Sequence, residues 1–75
     1  MINELDMAVL TRDIPEHGLQ RGDVGTVVHC YKDGALEVEF VTAAGMTIAV
    51  LTLGPADVQP MEGRQILHVR ELTPA

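Results

Sequence analysis

Cysteine and aromatic residues are the scarcest components of this 75-residue chain. Cys30 is the only cysteine, so neither an intramolecular disulfide nor a cysteine-rich zinc cluster can form. Tryptophan is absent, and Tyr31 and Phe40 are the only aromatic residues, which leaves few platforms on which the bases of single-stranded nucleic acid would stack. The core must therefore be built mainly from Val, Leu, Ile and Met side chains.

Positive charge is also scarce. Five Lys and Arg residues stand against eleven Asp and Glu residues, which gives a formal net charge of -6 at pH 7. No basic stripe for phosphate neutralisation is visible, because the basic residues are scattered along the chain at Arg12, Arg21, Lys32, Arg64 and Arg70. An acidic surface keeps a small protein in solution and steers basic protein partners towards it.

Long hydrophobic runs are missing as well. No run approaches the roughly 18 apolar residues of a membrane span, and the N-terminus lacks the basic and apolar regions of a secretory signal. We therefore expect a cytoplasmic protein that does not enter the membrane. The length predicts one domain, residues 1–75, in which a core supplies only about 3 to 5 kcal/mol of net stability. Each strand must pack well, or a partner must help.

The clearest pattern that is present is the alternation in ALEVEFV, residues 35–41. Leu36, Val38 and Phe40 are apolar, whereas Glu37 and Glu39 between them are charged. Side chains alternate between the two faces of a strand, so this segment is predicted to be a strand with one buried face and one face in water.

Turn residues separate this strand from other apolar runs. VGTVVHCY, residues 24–31, is rich in β-branched residues and is followed by Lys32-Asp33-Gly34, which suits a hairpin turn because Asp and Gly tolerate positive φ. TAAG, residues 42–45, predicts a second hairpin that leads into MTIAVLTL, residues 46–53, whose positions 48–51 we expect to be buried on both sides. GPADVQPM, residues 54–61, predicts a turn or one loop of 3-10 helix, which a very short strand through Val58 can follow.

The tail RQILHVREL, residues 64–72, alternates Leu67 and Val69 with His68 and Arg70. This alternation predicts a further strand, and a short amphipathic helix is the alternative. Several short strands with glycine-containing turns predict an all-β domain whose sheet curls into a barrel and so hides its edges. Gly22 and Gly25 would then lie where the chain bends and backbones come close.

Three segments carry a resemblance to a known family. LTRDIPEHGLQRGDVGTVV, DGALEVEF and TIAVLTL resemble, in this order and spacing, the small bacterial proteins grouped as domain of unknown function family 4926. The resemblance covers residues 4–61 and leaves residues 62–75 as a C-terminal extension. It implies an SH3-like barrel of about five short antiparallel strands, similar to those of the nitrile hydratase β subunit and of small accessory subunits of redox complexes. It implies no activity.

Candidate catalytic and metal-binding residues are better explained by structural roles. The potential soft metal ligands show no recognised metal spacing; they are His17, His29, His68 and Cys30. Glu37 and Glu39 share a solvated face instead of flanking a cleft, as catalytic carboxylates would. Asp23 is expected to cap or orient the turn near Gly22. We therefore predict no catalytic, cofactor or metal site.

The surplus of apolar residues in MTIAVLTL and in the tail is harder to explain by a single interior. If both faces of the fourth strand are apolar, something must cover the second face. The tail itself, a second copy of the chain and a different protein are the three alternatives. The predicted partner-binding residues are Ile48, Val50, Leu67 and Val69.

These patterns lead to a functional prediction. We expect a non-enzymatic protein–protein interaction module, a small cytoplasmic accessory or antitoxin-like subunit that binds a protein partner or itself. The alternative is a nucleic-acid-binding barrel of the KOW type, which has a similar glycine-valine turn and requires the fold to bring Arg12, Arg21 and Arg70 together. A small-molecule or enzymatic role would need a pocket of at least a few hundred Å³.

Overall fold

A computed structural model describes residues 2–72 and shows one antiparallel sheet. Its neighbours all pair antiparallel in the order β4-β3-β2-β1-β5, which confirms the all-β prediction. In chain order the elements are β1 (Met7–Leu10), a 3-10 helix (Pro15–His17), β2 (Val24–Cys30), β3 (Leu36–Val41), β4 (Thr47–Leu53) and β5 (Val58–Pro60). Within residues 2–72 no helix is long and apolar enough to cross a bilayer.

The alternation predicted for β3 is confirmed and places the core. Leu36, Val38 and Phe40 are buried, and Glu37 and Glu39 are partly exposed on the outer face. β3 lies between β2 and β4, so its inner face contacts apolar side chains from both neighbours. The other buried apolar residues come from the remaining strands and from the loop around the 3-10 helix: Ala8, Leu10, Ile14, Leu19, Val27, Ala49, Leu53 and Val58.

Both predicted hairpin turns form. Gly34 has a φ of +93°, a conformation that residues with a Cβ atom rarely adopt, and the Asp33 carboxylate accepts a hydrogen bond from the Ala35 N–H at 2.9 Å. At the second turn, the Thr42 N–H donates to the Met46 carbonyl at 2.8 Å. The turns therefore set the pairing of β2 with β3 and of β3 with β4.

Gly25 is required by a close approach between strands. It is buried in β2 opposite Ala8 of β1. A Cβ atom at this position would lie 2.6 Å from Cγ1 of Val38 and 2.9 Å from Cε1 of Phe40. The prediction that backbones come close at this glycine is confirmed.

The predicted SH3-like barrel is wrong in one respect: the sheet does not close. β4 and β5 are the two edges of the sheet and do not pair with each other. β5 has only three residues and ends at Pro60, which has no N–H for a ladder. The chain then leaves the sheet, so no strand bridges the gap and both edges remain.

The predicted C-terminal strand is also wrong, and the helical alternative does not form either. Residues 61–72, here called the C-terminal segment, contain no strand or helix. The Met61 N–H still donates to the Met7 carbonyl at 3.2 Å, but beyond it Leu67 and Val69 are 62% and 90% exposed. Alternation alone does not make a strand when the segment pairs with neither edge of the sheet. Residues 73–75 of the predicted extension lie outside the described residues.

β4 is covered on one face only, so the prediction that its centre is buried on both sides is partly wrong. Ala49 is buried, and Ile48 and Leu51 are partly buried against the core. Val50, however, is 47% exposed opposite Glu39 of β3. The apolar surplus of this strand therefore faces solvent on the outer side of the sheet.

Candidate functional site

Arg70 holds the C-terminal segment against the loop that precedes β2. Its Nε donates to Oδ1 of Asp23 at 2.9 Å, and its second terminal nitrogen donates to Oδ2 of the same carboxylate and to the Gly18 carbonyl. Such a two-point contact between a guanidinium and a carboxylate fixes orientation as well as distance. The side-chain exposures of Arg70 and Asp23 are only 24% and 20%, so this contact is partly shielded from water.

Asp23 has a second role in the same loop. Its Oδ2 accepts the Gln20 N–H at 2.8 Å, which confirms the prediction that it orients this turn. Burial opposes ionisation of Asp23, but the hydrogen bonds from Arg70 and from Gln20, with the Arg70 charge, outweigh it and lower the pKa of Asp23. The carboxylate is therefore ionised at neutral pH and keeps its hold on the segment.

A groove lies between the C-terminal segment and the sheet, in two adjoining parts of about 560 and 740 Å³. Four residues line both parts: Leu19, Ile48, Arg70 and Leu72. The first part is further lined by Asp23, Val24, Phe40, Val41, Thr42, Ala43 and residues 67–69 and 71; the second by Asp13, residues 15–18 and Gln20. Both parts are open to solvent.

The charged residues in the lining of this groove are mostly acidic. Asp13, Glu16, Asp23 and Glu71 stand against one guanidinium, that of Arg70, which leaves an excess of three negative charges. The Asp13 carboxylate accepts the Arg21 N–H at 2.8 Å. Within residues 2–72, no side-chain hydrogen bond or ion pair engages Glu16 or Glu71, so these two carboxylates are available to a binding partner.

The structure brings together three of the four predicted partner-binding residues. Ile48, Leu67 and Val69 all line the groove, whereas Val50 lies on the outer face of β4. The sequence does not predict the Arg70–Asp23 contact that lies beside these three residues. It predicts Asp23 as a turn residue, and Arg70 as part of an alternating strand and of the nucleic-acid alternative. An acidic and a basic residue 47 positions apart give no local signal of their pairing.

Arg12 forms the second ion pair that joins distant parts of the chain. Its Nε donates to Oδ1 of Asp57 at 2.8 Å, next to the Thr11 hydroxyl that donates to the Ala56 carbonyl at 2.7 Å. These contacts hold the end of β1 against the turn before β5. Arg12 and Arg70, two of the three arginines that nucleic-acid binding would require, are thus each paired with a carboxylate.

The two glutamates of β3 form hydrogen bonds on the outer face. Oε1 of Glu37 accepts from the hydroxyls of Tyr31 and Thr52, and Oε2 of Glu39 accepts from the Thr47 hydroxyl at 2.8 Å. The charge of Glu37, together with burial and its hydrogen bond, raises the pKa of Tyr31. This is a ladder of cross-strand contacts on a solvated face, in keeping with the structural role expected for these glutamates.

The histidines and the cysteine occupy separate places. His29 lies on β2 with Nδ1 3.5 Å from a carboxylate oxygen of Glu4, while His17 ends the 3-10 helix and His68 is exposed in the C-terminal segment. Cys30 is partly buried and packs against the core. Among residues 2–72 no three His, Cys, Asp or Glu side chains are grouped so as to hold a metal ion.

Replacing Arg70 with methionine is expected to release the C-terminal segment. Backbone 15N order parameters of residues 64–72 should then fall, while global stability falls by no more than about 1 kcal/mol because the pair is near the surface. Arg70→Lys should restore the order only in part, since an ammonium cannot make the two-point contact. Arg64→Met, in the same segment, is the matched control. Unchanged order parameters in Arg70→Met would show that other contacts hold the segment.

Acid is expected to weaken the fold through Asp57 and Asp23. The hydrogen bonds from Arg12 and from the Gly54 N–H lower the pKa of Asp57 despite some burial, and the pKa of Asp23 is also lowered. Each carboxylate therefore stabilises the folded state above its ordinary pKa of 3.8, and this contribution is lost as pH falls through the lower folded value.

Urea unfolding at a series of pH values checks this expectation. Stability should stay level from neutral pH down to about pH 5 and decline below it, and the decline should be shallower in Asp57→Asn. The chain carries other carboxylates, so the comparison between the variant and the wild type is the informative quantity. Parallel curves for the two proteins would mean that the Arg12–Asp57 pair contributes nothing.

Comparisons with known proteins give one result. Neither the search of curated proteins nor the search of solved structures found a match. The family model described as Domain of unknown function (DUF4926) matches residues 4–60, which is nearly the range of the resemblance seen in the sequence. The match includes β5 and leaves the C-terminal segment outside it. Since this match covers more than half of the 75 residues, the chain belongs to the DUF4926 family.

Proposed function

We propose that this chain is a non-enzymatic protein-interaction module, a small cytoplasmic accessory or antitoxin-like subunit that binds one partner protein in the groove. The observation that supports this most directly is the arrangement of the C-terminal segment. Arg70 fixes the segment at one point, while Leu67 and Val69 remain largely exposed beside Ile48. Exposed aliphatic side chains held in place next to a groove are typical of a docking surface.

The chemistry of the groove indicates what the partner presents. The excess of three negative charges in its lining attracts basic side chains, and Ile48, Leu67 and Val69 offer contacts for an aliphatic one. The net charge of -6 adds long-range attraction for a basic surface. We therefore propose that the occupant is a segment of another protein that carries Lys or Arg residues around an aliphatic anchor.

Nucleic-acid binding is less well supported. Arg12 and Arg70 each bind a carboxylate of the same chain, so phosphate contacts by either one require breaking an ion pair. Phosphate groups would also meet the acidic lining of the groove. An enzymatic role has the volume that it needs, but the groove is open to solvent and its histidines, His17 and His68, are exposed.

The proposal is tested by affinity purification of the tagged full chain from its own source organism, in the presence of nuclease. Three forms of the chain are compared. The first is the wild type, and the second is the groove variant Glu16→Lys with Glu71→Lys. The third is the control Glu4→Lys with Glu62→Lys, which changes net charge equally through exposed residues outside the groove lining. The protein recovered with the wild type is then purified and titrated against all three by calorimetry.

The expected result is one stoichiometric protein that binds the wild type and the control and binds the groove variant at least about tenfold more weakly. Its affinity should fall as salt rises. Equal binding to the groove variant and the control would overturn the groove as the docking site. Recovery of nucleic acid in place of a protein when nuclease is omitted would favour the alternative function.

A further inference from the structure

The two edges of the sheet differ sharply in how they are protected. β5 is three residues long and ends in Pro60, and the Arg12–Asp57 ion pair lies beside its start. β4 is seven residues long, Thr47–Leu53, with neither proline nor charge. Within residues 2–72, no backbone hydrogen bond joins the outer edge of β4 to another segment. Short length, proline and charge protect many edge strands, and β4 has none of these three. Its one irregularity is a bulge at Ile48, close to its first residue.

Charge indicates which occupant suits this edge. No charged residue occurs from Phe40 to Ala56, so β4 is a neutral strip on a chain with a net charge of -6. The net negative charge of the chain repels a second copy from most of the protein surface, and this repulsion is weakest along β4. The nearest carboxylates, Glu37 and Glu39, lie on β3. If two β4 strands pair, the two Glu39 backbones are three strand spacings apart, roughly 14 Å. The carboxylates lie nearer the seam, because Glu39 accepts a hydrogen bond from Thr47 and Glu37 accepts one from Thr52.

The sequence of β4 is also complementary to itself in the antiparallel direction. Pairing about Val50 places Ala49 opposite Leu51 of the second copy, Val50 opposite Val50, and Ile48 opposite Thr52. From Ala49 to Leu51 an inner-face residue meets an inner-face residue in this register, because side chains alternate along a strand. Ile48 lies at the bulge and is not part of this match. Leu51, which is only partly buried at the edge of the core, gains an apolar neighbour, and so does the exposed Val50. A twofold interface requires this kind of self-complementarity.

We propose that two copies of this chain associate by antiparallel pairing of their β4 strands, which joins the two five-stranded sheets into one continuous sheet. The register is centred on Val50. This inference is independent of the proposed groove, since Val50 is not among the residues that line it. It also gives the exposed Val50 an apolar neighbour on the outer side of the sheet.

Sedimentation equilibrium of the full chain tests the proposal with two valine variants. Val50→Lys places two ammonium groups at the twofold axis, whereas Val28→Lys introduces the same charge at an exposed position of β2, a strand separated from β4 by β3. We expect the wild type and Val28→Lys to be dimers whose melting temperature rises with protein concentration, and Val50→Lys to be a folded monomer by circular dichroism. A monomeric wild type, or dimeric Val50→Lys, overturns the proposal.

A cross-linking measurement tests the register without relying on loss of association. In a Cys30→Ala background, Val50→Cys brings two thiols opposite each other across the paired strands, where Cβ atoms lie about 4.5 to 5.5 Å apart. Oxidised glutathione should then convert this variant into a disulfide-linked dimer, and it should leave Val28→Cys in the same background monomeric on a denaturing gel. Equal cross-linking of the two variants overturns the register centred on Val50.

Discussion

Gly25→Ala is expected to remove a large part of the stability of the fold. The new methyl group would lie 2.6 Å from Cγ1 of Val38 and 2.9 Å from the Glu39 carbonyl oxygen, and the second of these belongs to backbone that cannot move without disturbing the pairing of β2 with β3. Overpacking of this kind costs about 1 to 3 kcal/mol or more. A domain of this size has only about 3 to 5 kcal/mol in total.

Urea unfolding followed by circular dichroism measures this effect. Gly63→Ala is the matched control, because nothing lies within 4 Å of the position of its new methyl group and it is exposed in the C-terminal segment. We expect the control to differ from the wild type by less than about 0.5 kcal/mol. If Gly25→Ala lowers the free energy of unfolding as little as the control does, then β2 and β3 lie farther apart at this position than the structure shows.

Leu10→Ala is expected to have the second large effect, a loss of about 2 to 5 kcal/mol. Leu10 is 1% exposed and is among the largest fully buried side chains. It lies at the end of β1 opposite Val58 of β5, and its carbonyl accepts the Gly22 N–H at 2.9 Å. Truncation therefore opens a cavity where β1, β5 and the loop before β2 meet, and the backbone bonds around it prevent collapse.

Leu67→Ala is the control for this substitution and also tests the C-terminal segment. Leu67 is 62% exposed, so its truncation should cost less than about 0.5 kcal/mol. The same unfolding experiment compares the two variants. A loss in Leu67→Ala as large as that in Leu10→Ala would mean that the tail packs as the strand that its alternation predicted.

The two proposed interfaces use different parts of β4, and the experiments separate them. Ile48 lines the groove, whereas Val50 faces outward from the centre of the strand. Charge reversal at Glu16 and Glu71 should abolish partner binding and leave the dimer intact. Lysine at Val50 should dissociate the dimer and leave the groove lining unchanged. Loss of both properties in either variant would indicate a single interface.

Much of the candidate site could not be predicted from the sequence. The local sequence pattern predicts Ile48, Leu67 and Val69 through their apolar surplus, because an excess of aliphatic residues is visible in composition and periodicity. It does not reach the contact of Arg70 with Asp23, because 47 positions separate them. Nor does it separate Val50 from the other three, since the face that a residue occupies depends on where the core lies.

Local physical chemistry by itself determined the elements of this protein. The period-two pattern of β3, the positive φ of Gly34 and the crowding at Gly25 each follow from residue type and spacing, and the structure contains all three. Only the tertiary structure decided that the sheet stays open and that the tail leaves it. The alternation of Leu67 and Val69 with polar residues would place the apolar side chains on one face of a strand. A strand also needs a neighbour for its backbone hydrogen bonds, and that neighbour is supplied by the rest of the fold.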